Sequence, residues 1–182
     1  MKKSVILRED QIQERIQKIA SEILARNDSP EELLLVGIRT GGAYLAGRLQ
    51  EAIAAMNVPR PSAGTLDITL YRDDWTRIGT APLVGKTELP FSIDDKVVIL
   101  VDDVLFTGRT VRAAMDALID LGRPKRIELA ILVDRGDRDR ELPIRADYIG
   151  ALWHTSSHET VNVYLREAGF EDQVTVEEKK AA

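Results

Sequence analysis

Two adjacent carboxylates, Asp102 and Asp103, follow the apolar run VILV that ends at Val101, and the stretch Thr107, Gly108, Arg109, Thr110 comes four residues later. Like charges this close repel, and partial burial at a strand end makes that worse, so hydroxyls or a cation should sit against them. The second cluster lies where a loop would enter a helix. Unpaired backbone N–H groups and the positive end of the helix dipole favour a phosphate there. Gly108 admits close backbone approach, and the hydroxyls of Thr107 and Thr110 add donors. A phosphate at one end and vicinal hydroxyls at the other describe a ribose 5-phosphate. The plainer alternative is an ordinary strand-to-helix turn with Asp and Thr caps. A doubled Asp at helix-entry distance from TGRT is the more specific pattern.

The elements that must hold these groups can be traced along the chain. Ile12, Ile16, Ile19 and Ile23 mark one face of a helix over Asp10 to Arg26. "ELLLVGI" (Glu32 to Ile38) reads as a buried strand running into Arg39, Thr40, Gly41 and Gly42. A helix from Ala43 to Met56 turns Leu45, Leu49, Ile53 and Met56 inward, and "NVPRPSAG" after it is a loop by its prolines and glycine. "TLDITLY" (Thr65 to Tyr71) alternates as a half-buried strand does. Arg72 to Pro90 is polar and unpatterned, a length that in compact domains usually serves function. "KVVILVD" is a strand, and Thr110 to Leu121 a helix with Val111, Ala114, Met115 and Leu118 inward. "RIELAILVD" and "ADYIGALW" are further strands, and residues 177–182, "EEKKAA", form a frayed tail behind a single domain over 1–176.

Alternating helices and nearly all-apolar strands predict an α/β fold with a mostly parallel sheet covered on both faces. Ligands of such sheets sit at the carboxyl ends of the strands. Three polar clusters fall there and should converge: Arg39 to Gly42, Asp102 with Asp103, and Asp134, Arg135 and Gly136. The chain's 182 residues suffice for one real core. A formal charge of −5 excludes a global basic field, so any nucleic-acid contact needs a local patch. The absence of cysteine excludes disulfides and thiolate metal sites and fits a cytoplasmic location. No apolar run is long enough to span a bilayer, and "MKKSVILRED" is too short in apolar residues for a signal segment.

"VILVDDVLFTGRT" resembles the phosphoribosyl-pyrophosphate (PRPP) signature of type I phosphoribosyltransferases. With "LVGIRTGG", "LDITLYRDD" and "LAILVDRGDRDRELPIRADYIG", the chain is similar, over most of Asp10 to Gly150, to the pyrimidine operon attenuator/uracil phosphoribosyltransferase family, PyrR. That resemblance implies a parallel-stranded core with a small hood and a flexible loop, and the reaction of uracil with PRPP to give UMP and pyrophosphate with Mg²⁺. It implies that Asp102 and Asp103 hold the ribose hydroxyls. Val104, Leu105, Phe106, Thr107, Gly108, Arg109 and Thr110 complete the PRPP signature, with Thr107 to Thr110 on the 5-phosphate. Arg39 and Thr40 would hold pyrophosphate, and Tyr71, Arg72, Asp73 and Asp74 would begin the active-site loop. Phe106 stands where purine enzymes carry an Asp, which argues for a pyrimidine, and Asp134 and Arg135 are candidates for the wall of the base pocket. Metal would be held mainly by PRPP itself.

Family members often also bind an mRNA leader when UMP is present, generally as a dimer or higher homo-oligomer. Arg26, Arg138, Arg140 and Arg145 could supply a basic face for RNA, though Asp137, Asp139 and Glu141 interleave with them as in a solvated charged loop. The chain departs from the family here. Gln17 and Ser21 replace Thr and His, "DRGDRDREL" replaces "DRGHREL", and Ala151 replaces a Lys. These losses weaken the electrostatic contribution that dominates RNA affinity, so the enzyme reading survives better than the regulator reading. A UMP-sensing RNA regulator without activity, or an enzyme for another pyrimidine-like base, are the alternatives. "GTAPLVGKT" has five residues between its glycines and Pro82 among them, which spoils a P-loop. A phospho-receiver would carry its acidic pair after the first strand. His154, His158 and Glu159 make a poor zinc site without a further ligand.

Overall fold

The computed structural model describes residues 3–72, 85–156 and 158–178. Five parallel strands form the central sheet: β2 (Leu33–Ile38), β3 (Ser62–Leu66), β4 (Val97–Leu105), β5 (Arg126–Asp134) and β6 (Tyr148–Leu152), in the order β3-β2-β4-β5-β6. Three helices cover it: α1 (Glu9–Arg26), α2 (Gly41–Ala54) and α3 (Arg109–Leu121). The continuous apolar runs follow from burial on both faces. Leu33 and Leu35 of β2, with Val97, Ile99 and Val101 of β4, join α1 and α2 in one cluster. Leu34, Val36 and Ile38, with Val98 and Leu100, point the other way onto Val111, Ala114 and Leu118 of α3. Each fully buried Leu, Ile or Val of this kind contributes about 1.5–3 kcal/mol.

A second, three-stranded antiparallel sheet joins the two ends of the described chain. In it β1 (Lys3–Arg8) pairs with β8 (Gln173–Glu178), which pairs with β7 (Glu159–Tyr164). Leu7, Val161, Val174 and Val176 extend the α1–α2 cluster. This sheet is the small hood expected beside the core. Glu177 and Glu178 lie in its central strand rather than in a frayed tail, because Glu177 accepts from Lys3 and Thr175. Residues 179–182 lie outside the described residues.

"TLDITLY" divides rather than forming one strand. Pairing with β2 begins at Ser62, so "SAG" belongs to the sheet and not to a loop. The strand ends at Leu66 because the Asp67 carboxylate accepts the Thr69 N–H at 2.8 Å, and a 3₁₀ turn over Thr69–Tyr71 follows. A short polar side chain that satisfies a backbone group two residues on turns the chain out of a ladder. The polar stretch after it returns to the sheet at Glu88, which bridges Thr65.

Candidate active site

In sequence order β2 is followed by β3 on one side, and β4 then crosses to the other. The crevice at the carboxyl ends of β2 and β4 is therefore the switch point where an open α/β sheet takes its ligand. A cavity of about 450 Å³ lies there. Ile38 to Gly41 line it from β2, Asp102 to Val104 from β4, and Thr110 from the start of α3. Two of the three expected clusters thus meet in one cleft.

Asp102 is 7% exposed and its Oδ1 accepts the Asp103 N–H at 3.0 Å, while Asp103 is half-buried. Burial pushes the Asp102 carboxyl well above the usual range, and the adjacent Asp103 charge adds to this. Burial also raises Asp103, against hydrogen bonds that favour its charge. Gly41 makes the approach possible, since a Cβ there would collide with Asp103 Oδ2. A carboxyl whose folded pKa is raised opposes folding once pH exceeds the ordinary Asp range, and the penalty grows until pH passes the raised value, above which it is constant. Asp102→Asn keeps the acceptor for the Asp103 amide and removes the charge. It should raise Tm by roughly 5 °C at pH 7.5 and leave it unchanged near pH 4; melts at both pH values check this.

Gly108 has φ of 90°, the left-handed conformation that glycine adopts without strain, and it hands the chain into α3, whose first bond runs from Arg112 N–H to Gly108 O at 2.9 Å. The turn stands at the N-terminal, positive end of the α3 dipole, and Thr110 there lines the cleft. Arg109 itself turns outward onto Glu141, 2.5 Å from Nε. Leu105 is buried in the core, and the half-buried Phe106 packs its ring against the Arg135 guanidinium, 3.7 Å from the ring centroid.

Arg39 stands exposed at the rim and donates from Nη2 to Thr65 Oγ1 at 3.1 Å and to Lys86 O at 2.9 Å; its peptide bond to Thr40 is cis. Four further lining residues, Asp67, Ile68, Thr69 and Gly85, escaped the sequence reading. Asp67 was visible in "LDIT", but its alternation spoke for a strand. Burial pushes the Asp67 carboxyl up, yet hydrogen bonds from Thr69 and the Gly85 amide, with Arg39 nearby, outweigh it and leave it below its ordinary value. Arg72 lines the cleft, whereas Tyr71 does not and donates from its hydroxyl to Asp120, near the far end of α3, at 2.8 Å. Asp73 and Asp74 lie outside the described residues.

The third cluster stands beside the cleft rather than in it. Asp134, 5% exposed, accepts from Gly136 N–H and from Arg140, and Arg135, 6% exposed, donates to Thr155 Oγ1 at 2.6 Å and to the Ser156 and Glu159 carbonyls. Neither lines the cavity; Arg135 packs on the Phe106 ring, and Asp134 holds the Arg140 that donates to the Phe106 carbonyl. The expected basic face is likewise altered. Arg140 is turned inward, with 7% of its side chain exposed, because Asp134 and the Phe106 carbonyl hold its guanidinium. It is thereby withdrawn from any RNA backbone. Arg26 is exposed but pairs with Asp147 at 2.6 Å, and Arg138 and Arg145 are exposed. No described helix is long and apolar enough to cross a membrane.

Comparison with known proteins bears on this geometry. The phosphoribosyl transferase domain model matches residues 4–160. The bifunctional protein PyrR of Desulfosudis oleivorans is 55% identical over 159 residues, 87% of each chain. That of Thermus aquaticus is 50% identical over 180 residues, 99% of this chain and 98% of its own. In fold, the hypoxanthine phosphoribosyltransferase of Trypanosoma cruzi superposes with a TM-score of 0.71 over 97% of both chains at 19% identity. The polar cleft at the switch point, the acidic pair and the near-complete overlap agree: this chain has the type I phosphoribosyltransferase fold and belongs to the PyrR family of phosphoribosyl transferase domain proteins.

Proposed function

We propose that the chain transfers the phosphoribosyl group of PRPP to uracil, giving UMP and pyrophosphate. The observation that carries the reading is one polar cleft lined by Arg39 and Thr40, by the Asp102–Asp103 pair, and by Thr110 at the helix entry that Gly108 turns. These match, in order, a pyrophosphate, two ribose hydroxyls and a 5-phosphate. The family name of relatives at about half identity supports the same activity.

In this reaction uracil N1 bonds to ribose C1 as the bond from C1 to the pyrophosphate oxygen breaks. The electron pair departs with pyrophosphate, and the N1 proton passes to solvent. Asp102 and Asp103 accept from the ribose hydroxyls and stabilise the positive charge that develops on the ring. Arg39 and Arg72, planar and permanently charged, are suited to gripping phosphate oxygens. The adjacent carboxylates are hard oxygen donors that fit Mg²⁺ carried on substrate oxygens, and among the described residues no three acidic or histidine side chains gather to cage a metal unaided. When bound, Mg²⁺ supplies charge neutralisation at the leaving pyrophosphate. Phe106 excludes an acidic contact to the base, and Arg135 and Asp134 shape the base pocket by fixing Phe106 and Gly136.

UMP formation from labelled uracil, PRPP and Mg²⁺, run beside orotate and hypoxanthine, tests the proposal. Product from uracil alone is expected; product from hypoxanthine alone would overturn the base assignment, and none from any base would overturn the activity. The bifunctional name of the relatives supports a second reading, UMP-dependent binding of a pyrimidine-operon leader. Its basic face is reduced to Arg138 and Arg145, with Arg26 already paired.

A further inference from the structure

The loop that enters α3 is held from behind. Three successive carbonyls, of Leu105, Phe106 and Thr107, each accept a hydrogen bond from the segment after β5. Arg135 N–H donates to Leu105 O at 3.0 Å, and Glu141 and Leu142 N–H donate to Thr107 O at 3.0 and 3.3 Å. Between them, Arg140 Nη1 donates to Phe106 O at 2.8 Å. In a planar trans peptide the carbonyl of one residue and the N–H of the next point in opposite directions. Pinning these three carbonyls toward the strap therefore aims the N–H groups of Phe106, Thr107 and Gly108 away from it, to the side where a phosphate would lie.

Two of the three carbonyls are held by backbone donors. Only the middle one depends on a side chain, and that side chain is built in. The Arg140 guanidinium also donates from Nη2 to Asp134 Oδ1 at 2.7 Å, with 7% of each side chain exposed. Asp134 closes β5, where it stands in register with Leu105 of β4, and its Oδ1 takes the Gly136 N–H at 2.8 Å as well. The strap packs on the loop too, since Ile144 Cβ and Leu142 Cβ lie 3.4 and 3.5 Å from where a Gly108 Cβ would stand. On the Phe106 ring lies Arg135, itself anchored to Thr155, Ser156 and Glu159.

We propose that Arg140, fixed by Asp134, is a positioning residue that holds the Phe106 carbonyl and so presents the Thr107 N–H to the 5-phosphate of PRPP. The assignment deepens the phosphoribosyl-transfer reading and rests on it for the identity of the ligand. It gives a residue from the interleaved charged stretch a role inside the enzyme rather than on an RNA-facing surface. Loosening this one bond weakens the grip on phosphate first.

The test compares wild type with Arg140→Met and with Asp134→Asn/Arg140→Met, which removes the guanidinium without stranding a buried charge. The side-chain amide introduced by Asp134→Asn still offers an acceptor to the Gly136 N–H. Both steady-state kinetics and amide hydrogen exchange at Thr107 and Gly108 are read. The double variant should fold, show a KM for PRPP raised roughly tenfold with a smaller change in the KM for uracil, and exchange the Thr107 amide roughly tenfold faster while the Gly108 amide, whose peptide carbonyl is held by backbone donors, serves as the control. A folded double variant with unaltered PRPP KM and unaltered exchange would overturn the assignment. So would loss of the fold in both variants, which would make the pair a structural requirement only. Should wild type form no UMP from uracil and PRPP, the transfer reading fails by itself, and the exchange rates alone decide whether Arg140 holds the loop.

Discussion

Asp103→Asn should leave the fold intact and cut kcat/KM for UMP formation by roughly two to three orders of magnitude. Asp103 lies at the cleft wall, half-buried, with its partner Asp102 beneath it and Gly41 pressed against its Oδ2. The amide is isosteric and still accepts one hydrogen bond, so ground-state contact with a ribose hydroxyl largely survives. What is lost is negative charge where positive charge develops as pyrophosphate leaves. The loss should therefore fall mainly on kcat, with KM for PRPP changed much less. Circular dichroism and melting curves establish the fold, and steady-state rates at varied PRPP establish the split. A variant that turns over at wild-type rates would remove Asp103 from the reaction.

Arg48→Met should have the largest effect on stability, about 3–5 kcal/mol, the usual result of breaking a buried ion pair from one side. Arg48 on α2 is 9% exposed in its side chain and reaches Asp172 at 2.7 Å and Glu167 at 2.6 Å, the first of these 2% exposed. Both acids lie in the connection from β7 to β8, so the cluster ties the small sheet to the core. Burial pushes the Asp172 carboxyl up, but hydrogen bonds from Arg48 and the Arg166 N–H outweigh it and leave it below its ordinary value. The Arg48 hydrogen bond leads in lowering Glu167. Carboxyls lowered in the folded state contribute stability that is fully present above their unfolded pKa and is lost as pH falls through the folded one. In the variant the stranded Asp172 has the opposite tendency, easing as it takes up a proton. The gap between wild type and variant should thus be widest near neutrality and narrow steadily below about pH 4. Urea titrations at pH 7 and pH 3.5 measure it, and an equal gap at both would show that lost packing, not charge, is responsible.

The parts of the molecule that were legible in the sequence are those whose cause is local. β2, β4 and β5 are continuous apolar runs because both faces are covered, and such runs can be seen in any window of the chain. The acidic pair and the TGRT turn were legible for the same reason, since strand end, loop and helix entry are consecutive. The small sheet was not. β7 buries one residue well among six, and β1 owes its order to a partner at the opposite end of the chain, with Lys3 facing Glu177. Asp67 misled because a residue in an alternating stretch can either continue a strand or end it, and only its bond to Thr69 decides. Arg140 misled more deeply. Among Arg138, Asp139 and Glu141 it reads as solvated, and only the placement of Asp134 and the Phe106 carbonyl draws it inside.

The pairing of β1 with β8 also sets an order of events in synthesis. Of the described strands, the first to leave the ribosome is the one whose partner leaves last. The five core strands all emerge in between, so the central sheet and its cleft can assemble while β1 waits, an unsatisfied edge carrying Val5 and Leu7. Exposed edges of this kind invite pairing with other chains. The charged residues that flank its apolar stretch, Lys3 and Arg8, are the sort of gatekeepers that guard a nascent strand through that interval.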